Sequence, residues 1–353
     1  MTQKIINTLQ KAKSSFKTFQ CEIHVPQLNF EHKISSTTIN QAFHSASVGK
    51  LFTSVLIMKA IDNQKISLDT LIESLIPEEL LNHLFVFKDN DYRSEVTIKH
   101  LLNHTSGVND YFESKTMDGS SFIQTIIDQP QTFYTPQSLI QFTQEKQKAV
   151  GKPNDKFHYS DTGYILLGLC CEKIYEKSFA DIIQEEICIP LKLNDTYLCF
   201  YDERFKDHKL APIWVNKVEV SKYTSLSCDF SGGGLHTTTH DLTLFLNALL
   251  DESLISQNSL NQMTQFNHKF RSGMHYGLGM MQLHFEEFFF LFKGLPRMIG
   301  HLGVTGVHAW IDPQTKTSIV MNVGNMGHMA KSFQTLITVV QLIKQELKKQ
   351  KEA

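Results

Sequence analysis

The hydrophobic pattern of the chain changes from strand-like to helix-like and then back to strand-like. Every second residue from Phe19 to Val25 is apolar, which predicts a half-buried strand, and a second strand is expected near residues 30–35. Before these strands, apolar residues set among lysines predict a short amphipathic helix. From Ser47 the apolar positions follow a helical period, and residues 66–250 are mostly helical in pattern.

Three helices within this stretch have clear signals. Thr238 followed by Asp241 predicts a capping box that begins a helix running to Leu250. The other two are expected at residues 97–102 and 163–176.

The strand pattern returns near Tyr276. The dense aromatic run from Phe288 to Phe292 is interpreted as a core strand. Val307–Ile311 and Ile319–Val323 flank a turn at residues 312–315, which predicts a hairpin. The last segment has apolar residues at helical spacing and ends in lysines, which the helix dipole favours.

This order of elements predicts an α/β (α+β) fold. One antiparallel sheet is built from both chain ends and flanked by helices, with a mostly helical subdomain inserted between its halves. We expect residues 1–65 and 251–353 to form the sheet subdomain and residues 66–250 the insertion. The two parts make one catalytic unit with the site between them.

Composition limits the partners and the compartment. The 353 residues have a formal net charge of -2, which gives no reason to expect nucleic acid or a membrane as a partner. The six cysteines lack CxxC spacing and are expected to be small core residues in a reducing compartment. No signal peptide is recognisable, and no segment approaches the roughly 18 apolar residues of a membrane span. We therefore expect a cytoplasmic location.

The first motif with chemical meaning is Ser47-Val48-Gly49-Lys50. The S-x-x-K spacing places the serine and lysine side chains about one turn apart on one helix face. A partly desolvated lysine can accept the serine proton. Ser14 and Lys17 have the same spacing but are expected on a solvated face, because no buried helix begins there.

Two further motifs follow. Tyr159-Ser160-Asp161 lies in a polar loop just before an apolar helix, where a phenol can relay protons. In His301-Leu302-Gly303 the glycine would let a substrate backbone approach a strand closely, and the imidazole can donate to an anionic or carbonyl group. Taken alone, either motif also fits ordinary packing, as a tyrosine at a helix start and a surface histidine.

The order and separation of these motifs resemble the penicillin-recognising serine hydrolases. These include class C β-lactamases, D-alanyl-D-alanine carboxypeptidases, and related esterases and D-amino-acid peptidases. The resemblance extends roughly from Ser45 to Gly324 and is carried by five segments: SASVGKLFTSVL, VTIKHLLNHTSGV, FHYSDTGYILLGLCCEKI, SGGGLHTTTHDLTLFLNALL and GHLGVTGVHAWIDP.

The resemblance implies a role for each motif residue. Ser47 would be acylated, with Lys50 as the general base or its electrostatic partner, and Tyr159 would relay protons to the leaving group and from the deacylating water. The backbone N–H groups of Ser47 and Val304, the residue after Gly303, would form the oxyanion hole. Substrate binding would also involve His301, in the place that lysine holds in the lactamases.

Two departures from the family pattern bear on specificity. His301-Leu302-Gly303 replaces the usual Lys-Thr-Gly, which argues against a dedicated β-lactamase, and Lys316-Thr317-Ser318 lies past the hairpin turn and is discounted. Asp161 stands where the family usually has asparagine. Its carboxylate is expected either to contact Lys50 and attract an amine-bearing substrate, or only to cap the helix that follows.

Two functions remain open. The first is a hydrolase acting on a small ester, a D-amino-acid amide or a short peptide, with specificity set by the loops at residues 112–136 and 206–227. The second is a penicillin-binding-protein-like receptor that is acylated or binds ligand with little turnover. The pairing of a nucleophile with a base favours the enzyme.

We expect neither a cofactor nor a metal site. Two histidine pairs have i, i+4 spacing but lack the glutamate of H-E-x-x-H. The pairs are His100 with His104, and His236 with His240.

Overall fold

The protein is represented by a computed structural model that describes residues 2–203 and 209–352. The helices are α1 Gln3–Ser15, α2 Gly49–Asp62, α3 Glu78–Leu81, α4 Ile98–Leu102, α5 Phe122–Asp128, α6 Pro136–Lys146, α7 Asp161–Tyr175, α8 Phe179–Ile183, α9 Ile189–Leu191, α10 Phe230–Gly233, α11 Thr239–Leu250, α12 Gln257–Met263, α13 Phe285–Phe288 and α14 Met329–Glu352. The strands are β1 Gln20–Val25, β2 Phe30–Ser35, β3 Phe43–His44, β4 Val86–Phe87, β5 Asn90–Asp91, β6 Tyr197–Leu198, β7 Trp214–Val215, β8 Val218–Glu219, β9 Leu235–Thr237, β10 His268–Arg271, β11 Met274–Tyr276, β12 Met281–Leu283, β13 Ile299–Gly303, β14 Val307–Ile311 and β15 Ser318–Asn322.

An eight-stranded antiparallel sheet joins the two ends of the chain. Its order is β10-β11-β12-β13-β14-β15-β1-β2, and Gln20 of β1 lies opposite Asn322 of β15. Helices α1 and α14 pack together, and α11 packs against β1, β14 and β15. The predicted fold class, an antiparallel sheet from both chain ends with helices on its faces, is confirmed. No helix in the described parts of the chain is long and apolar enough to cross a bilayer.

The first strand is more buried than its alternating pattern predicted. Its polar residue Glu22 is 2% exposed, because α11 covers that face of the sheet. The Glu22 carboxylate accepts a hydrogen bond from the Thr239 hydroxyl at 3.1 Å and lies 3.2 Å from the Lys33 Nζ. A buried carboxylate is tolerated here because both of its oxygens have partners.

The predicted helices at residues 97–102, 163–176 and 238–250 are confirmed as α4, α7 and α11. The Asp241 backbone N–H donates to the Thr238 hydroxyl at 3.1 Å, as a cap at Thr238 requires. The predicted hairpin is confirmed by β14 and β15, which pair antiparallel.

The interpretation of Phe288–Phe292 as a core strand is wrong. These residues form the end of α13 and a 3₁₀ turn, Phe290–Phe292, in the connection between β12 and β13. Phe290 is 71% exposed and Leu291 is 66% exposed. A short apolar run without alternation does not distinguish a strand from a helical turn, and β12 already pairs directly with β13.

Candidate active site

The predicted nucleophile lies in a tightly held turn. Ser47 is partly exposed in the 3₁₀ turn Ala46–Val48, directly before α2. Ala46 has a φ of 47°, and its backbone N–H donates to the His44 Nδ1 at 3.1 Å. The Ser45 hydroxyl donates to the Gly233 carbonyl at 2.8 Å. A side chain at Gly233 would lie 2.7 Å from the Ala46 backbone, so glycine is required for this close approach.

Lys50 is fully buried beneath the nucleophile. Its Nζ donates to the Ser47 hydroxyl at 3.3 Å and to the Gly232 carbonyl at 2.7 Å. It also donates to Oδ1 of Asp161 in a short ion pair. The structure therefore brings the serine and lysine of the S-x-x-K motif together and surrounds the ammonium with oxygen acceptors.

Tyr159 lies on the other side of the nucleophile. Its hydroxyl is hydrogen-bonded to the Ser47 side chain, and its ring centre lies 5.0 Å from the Lys50 Nζ. Burial, followed by the negative charge of Asp161, raises the pKa of Tyr159 well above its usual value, although the hydrogen bond with Ser47 opposes this shift. The phenol is therefore protonated at neutral pH.

Asp161 contacts Lys50 and does not cap α7. The cap is Ser160, whose hydroxyl accepts the Gly163 backbone N–H at 3.2 Å. Asp161 is the first residue of that helix, and its own N–H donates to the Asp110 carboxylate at 2.9 Å. Of the two expectations for Asp161, the geometry supports the contact with lysine.

Two carboxyl groups near Lys50 were not identified from the sequence. Burial and the nearby Asp161 raise the pKa of Asp110 to about 7, against the effect of backbone N–H donors that include Glu113 at 2.7 Å. Burial and Asp161 also raise the pKa of Asp229 to about 7, and Lys50 opposes this shift. Both residues border segments that resemble the family, but nothing in their spacing indicated that both would lie near Asp161.

His301 is completely buried behind the site. Its Nδ1 lies 2.9 Å from the Leu302 backbone nitrogen and its Nε2 lies 3.2 Å from the Tyr276 hydroxyl. Burial, followed by the charge of Lys50, lowers the pKa of His301 to about 3. The imidazole is therefore neutral, and both of its nitrogens have partners within the protein.

Gly303 is the last residue of β13, and Val304 begins the turn that follows it. A Cβ at Gly303 would lie 2.9 Å from both the Ala46 Cβ and the Ser45 carbonyl oxygen. The missing side chain thus lets the strand pack on the nucleophile turn, whereas the sequence suggested space for a substrate backbone. Val304 is partly exposed beside this contact.

His104 is a further residue that the sequence did not single out as part of the site. Its buried ring lies 4.3 Å from the Tyr159 ring, centre to centre, and its Nδ1 accepts the Ser160 backbone N–H at 3.1 Å. Burial lowers its pKa well below the usual value. His104 therefore packs against the loop that carries Tyr159 and helps to hold it in place.

A small cavity of about 30 Å³ lies beside the nucleophile turn and Val304. The His44 Nε2 lies 3.4 Å from the Asp229 carboxylate at its polar side. Residues 206–208 of the second expected specificity loop lie outside the described residues. The apolar lining comes from both of these loops and includes Phe112, Ile123, Ile126, Ile213 and Leu226.

The histidine pairs with i, i+4 spacing do not gather into a metal-binding group. The His100 Nδ1 instead accepts the Thr97 backbone N–H at the start of α4, at 3.1 Å. Among the described residues, donor atoms come together at His275, His284 and Glu287. Two cations already contact that group, since Lys269 lies 2.7 Å from the Glu287 carboxylate and Arg297 contacts His284. These cations would compete with a metal ion for the same donor atoms.

Comparison with known proteins identifies the family. The family model described as Beta-lactamase matches residues 28–340. The chain is 29% identical over 231 residues to a putative fimbrial assembly protein FimD, serogroup D, of Dichelobacter nodosus, covering 63% of this chain and 52% of that protein. It is 26% identical over 239 residues to penicillin-binding protein 4* of Bacillus subtilis (strain 168), covering 62% and 47%. The chain thus spans about half the length of these curated relatives.

Solved structures share the fold. The D-amino acid amidase from Ochrobactrum anthropi SV3, in complex with D-phenylalanine, superimposes with a TM-score of 0.78 at 18% identity, over 97% of this chain and 99% of that one.

Proposed function

This chain belongs to the beta-lactamase family, and from that premise we propose that it is a serine hydrolase that forms an acyl-enzyme on Ser47. The family membership confirms the resemblance inferred from the motifs. One observation carries the proposal: the Ser47 hydroxyl is contacted both by the Lys50 ammonium and by the Tyr159 hydroxyl. A nucleophile between a cation and a phenol is equipped for acyl transfer.

The charges around Lys50 favour an electrostatic role for this residue over the role of a neutral general base. Asp161 and the Gly232 carbonyl both stabilise its ammonium form. The ammonium then stabilises negative charge as the Ser47 oxygen attacks the substrate carbonyl. The backbone N–H groups of Ser47 and Val304 would receive the oxyanion.

The protonated phenol of Tyr159 fits a relay. It takes the Ser47 proton only as it passes its own proton to the leaving group, so the two transfers are coupled. In deacylation the relay runs in reverse, with water in the place of the leaving group. The products are the free acid and the restored Ser47 hydroxyl.

The surroundings of the nucleophile favour an acyl group that carries an amine. Asp161 pairs with the single buried lysine, Asp229 lies within range of its charge, and Asp110 lies beside Asp161, so acidic groups outnumber cations and the site is favourable for a substrate ammonium. A D-amino-acid amide, a short peptide with a free amine or a small ester of this kind is the proposed substrate.

Penicillins are expected to acylate the protein slowly. The lactamases hold a lysine at the position of His301, which here is buried and neutral. A neutral imidazole offers a β-lactam carboxylate less attraction than a permanent ammonium does.

One observation favours the second candidate, a receptor that is acylated with little turnover. A lysine held as an ammonium by Asp161 is a weak base for activating the deacylating water. Such a protein would still react at Ser47 but would release product slowly.

The test is covalent labelling followed by turnover. A fluorophosphonate should add its mass to the peptide that contains Ser47 in the parent protein and in Ser14→Ala, a matched S-x-x-K serine, but not in Ser47→Ala. Steady release of product from p-nitrophenyl esters and D-amino-acid amides then supports the hydrolase. Labelling without turnover supports the receptor, and labelling at another serine contradicts both.

A further inference from the structure

The connection between β12 and β13 presents large apolar side chains to solvent. We call residues 285–292 the aromatic knob. Its tip consists of Phe289, Phe290 and Leu291, which are 46%, 71% and 66% exposed. Its base is anchored, since Phe285 is buried and the Phe288 ring lies 5.6 Å from the Phe333 ring of α14. The tip is thus an apolar surface fixed to the fold, of the kind that marks interaction sites.

A groove of about 370 Å³ lies next to the knob, between the sheet and the C-terminal part of α14. Lys344 joins the two features, because its Nζ donates to the Gly294 carbonyl just after the knob at 2.6 Å. Lys348 and Lys351 line the groove from the next turns of the helix. The apolar lining is Pro296, Met298, Ile319, Val340, Ile343 and Leu347.

The acidic groups near this surface are already engaged. The Asp312 carboxylate, the acidic group of the groove lining, accepts the Gln314 backbone N–H at 3.1 Å and the Thr315 hydroxyl at 2.7 Å within its own turn. Glu352 lies 3.6 Å from Lys348. Glu346 pairs with Lys349 at 2.7 Å.

The carboxylates of the knob are also paired. Glu286 forms an ion pair with Arg297, and Glu287 lies 2.7 Å from both the Lys269 Nζ and the His275 Nε2. Lys293, just beyond the tip, is exposed. The knob and groove therefore combine apolar groups with a surplus of positive charge.

We propose that the knob and groove together bind the surface of an anionic phospholipid bilayer. The side chains of Phe290 and Leu291 enter the boundary between headgroups and acyl chains, and the lysines contact lipid phosphates. The apolar groove receives part of one acyl chain. The net charge of the whole chain, -2, does not reveal this surface, because the positive charge is local. The proposal goes beyond the proposed hydrolase and does not depend on it.

The position of the knob is compatible with an active enzyme. It precedes Ile299, the first residue of β13, whereas Gly303 at the other end of that strand packs against Ser45 and Ala46. Five extended residues separate the two ends by about 13 Å. Docking through the knob therefore leaves the nucleophile turn uncovered.

The test is co-sedimentation of the full chain with vesicles of phosphatidylcholine, alone or mixed with phosphatidylglycerol. The parent protein should bind the anionic vesicles, and the double variant Phe290→Ser/Leu291→Ser should lose about tenfold or more in partitioning. The double variant Lys348→Gln/Lys351→Gln should lose the preference for anionic lipid but keep weak binding. The matched control is Ile39→Ser/Ile189→Ser, which removes apolar side chains that are 63% and 65% exposed elsewhere.

Three results would overturn the proposal. The first is no binding of the parent to anionic vesicles, and the second is an equal loss in the control variant. The third is a parent dimer in light scattering that becomes a monomer in the knob variant, since a second copy would then cover the knob. Circular dichroism of each variant verifies that it is folded.

Discussion

Two buried polar clusters in this molecule have similar burial and opposite character. In the cluster around Lys50, this one cation pairs with Asp161 and interacts with the charge of Asp229, while Asp110 lies beside Asp161. Behind the sheet, the His308 Nε2 pairs with the Ser332 hydroxyl at 2.8 Å, and the Trp310 indole N–H donates to its Nδ1 at 3.2 Å.

The second cluster is neutral and closed, since both nitrogens of His308 have partners and burial lowers its pKa to about 3. The cluster around Lys50 holds more carboxyl groups than cations. Such an arrangement costs stability and is typical of functional sites. Burial alone therefore does not mark a site; unbalanced charge at an accessible nucleophile does.

The two clusters also respond to pH in opposite directions. The pKa of Asp229 is raised from 3.8 to about 7, so between these values the folded state binds more protons and stability falls as pH rises. The pKa of His308 is lowered from 6.5 to about 3, so between these values the unfolded state binds more protons and stability falls as pH falls. Changing one residue at a time can separate these contributions.

The largest expected effect is that of Lys50→Met. Loss of the cation should lower kcat/KM by about 10²- to 10⁴-fold. It should also destabilise the fold by about 3–5 kcal/mol at pH 8, because the facing carboxylates lose their compensating charge. Ester hydrolysis and urea unfolding at pH 8 and pH 5 measure both effects, and the loss of stability should be smaller at pH 5. Equal destabilisation at both pH values would show that the carboxyl groups are not coupled to Lys50.

Asp229→Asn should stabilise the protein at neutral pH. The amide cannot ionise, so the loss of stability between pH 4 and pH 7 should shrink by on the order of 1–3 kcal/mol. Urea unfolding across this range is the measurement. Asp118→Asn is the control, since that exposed carboxyl has its pKa lowered to about 2 by hydrogen bonds from Thr116 and Ser120 and should not reproduce the effect. A parallel curve for Asp229→Asn and the parent would contradict the prediction.

His308→Leu tests the neutral cluster. We expect a loss of about 1–3 kcal/mol at pH 7, because the Trp310 N–H is left buried without its acceptor. The difference in unfolding free energy between the variant and the parent should become smaller as pH falls from 6.5 toward 3, because the parent then loses the contribution of a neutral His308. The kcat of the folded variant should equal that of the parent, and a lowered kcat would connect this cluster to the site.

The smallest expected effect, a few-fold to about tenfold in kcat/KM, is that of Asp161→Asn. The proposed mechanism requires the Lys50 ammonium, so removing the charge that stabilises it should move the alkaline limb of the kcat/KM profile to lower pH. Amide and lactam acylation should improve relative to amine-bearing substrates, since asparagine can donate a hydrogen bond and aspartate cannot. The measurement is the pH profile for a matched pair of substrates with and without the amine. An unchanged profile together with an unchanged preference would end the hypothesis.

The features that the sequence predicted correctly depend on residues that are close together in the chain. Ser47 and Lys50 meet because one helical turn separates them, and the strands and helices of the sheet have their own periodicity. Asp229 comes near Lys50, and Asp110 near Asp161, only because α7 and α10 pack beside α2, which no spacing in the chain encodes. The burial of His301 could not be predicted for the same reason, because its partner Tyr276 lies on a different strand of the sheet.

The error at Phe288–Phe292 has a different cause. The sequence predicts a core position for this segment because an apolar run is usually buried, and no polar residue interrupts this one. The structure instead anchors the segment through Phe285 and Phe288 and leaves the tip exposed. Hydrophobicity identifies a segment that needs a partner, but not whether that partner is the core of the same chain.

The pairing of β1 with β15 also bears on the order of events during synthesis. Asn322 donates its side-chain amide to Gln20, a partner 302 residues away. When α2, the helix that follows Ser47, has emerged from the ribosome, β13 has not yet been synthesised. In the folded protein β13 packs against the Ser45–Ala46 segment. Contacts of such long separation form late and slow the final folding step. The growing chain therefore carries a serine whose turn gains its neighbouring strand β13 only after most of the polypeptide has emerged.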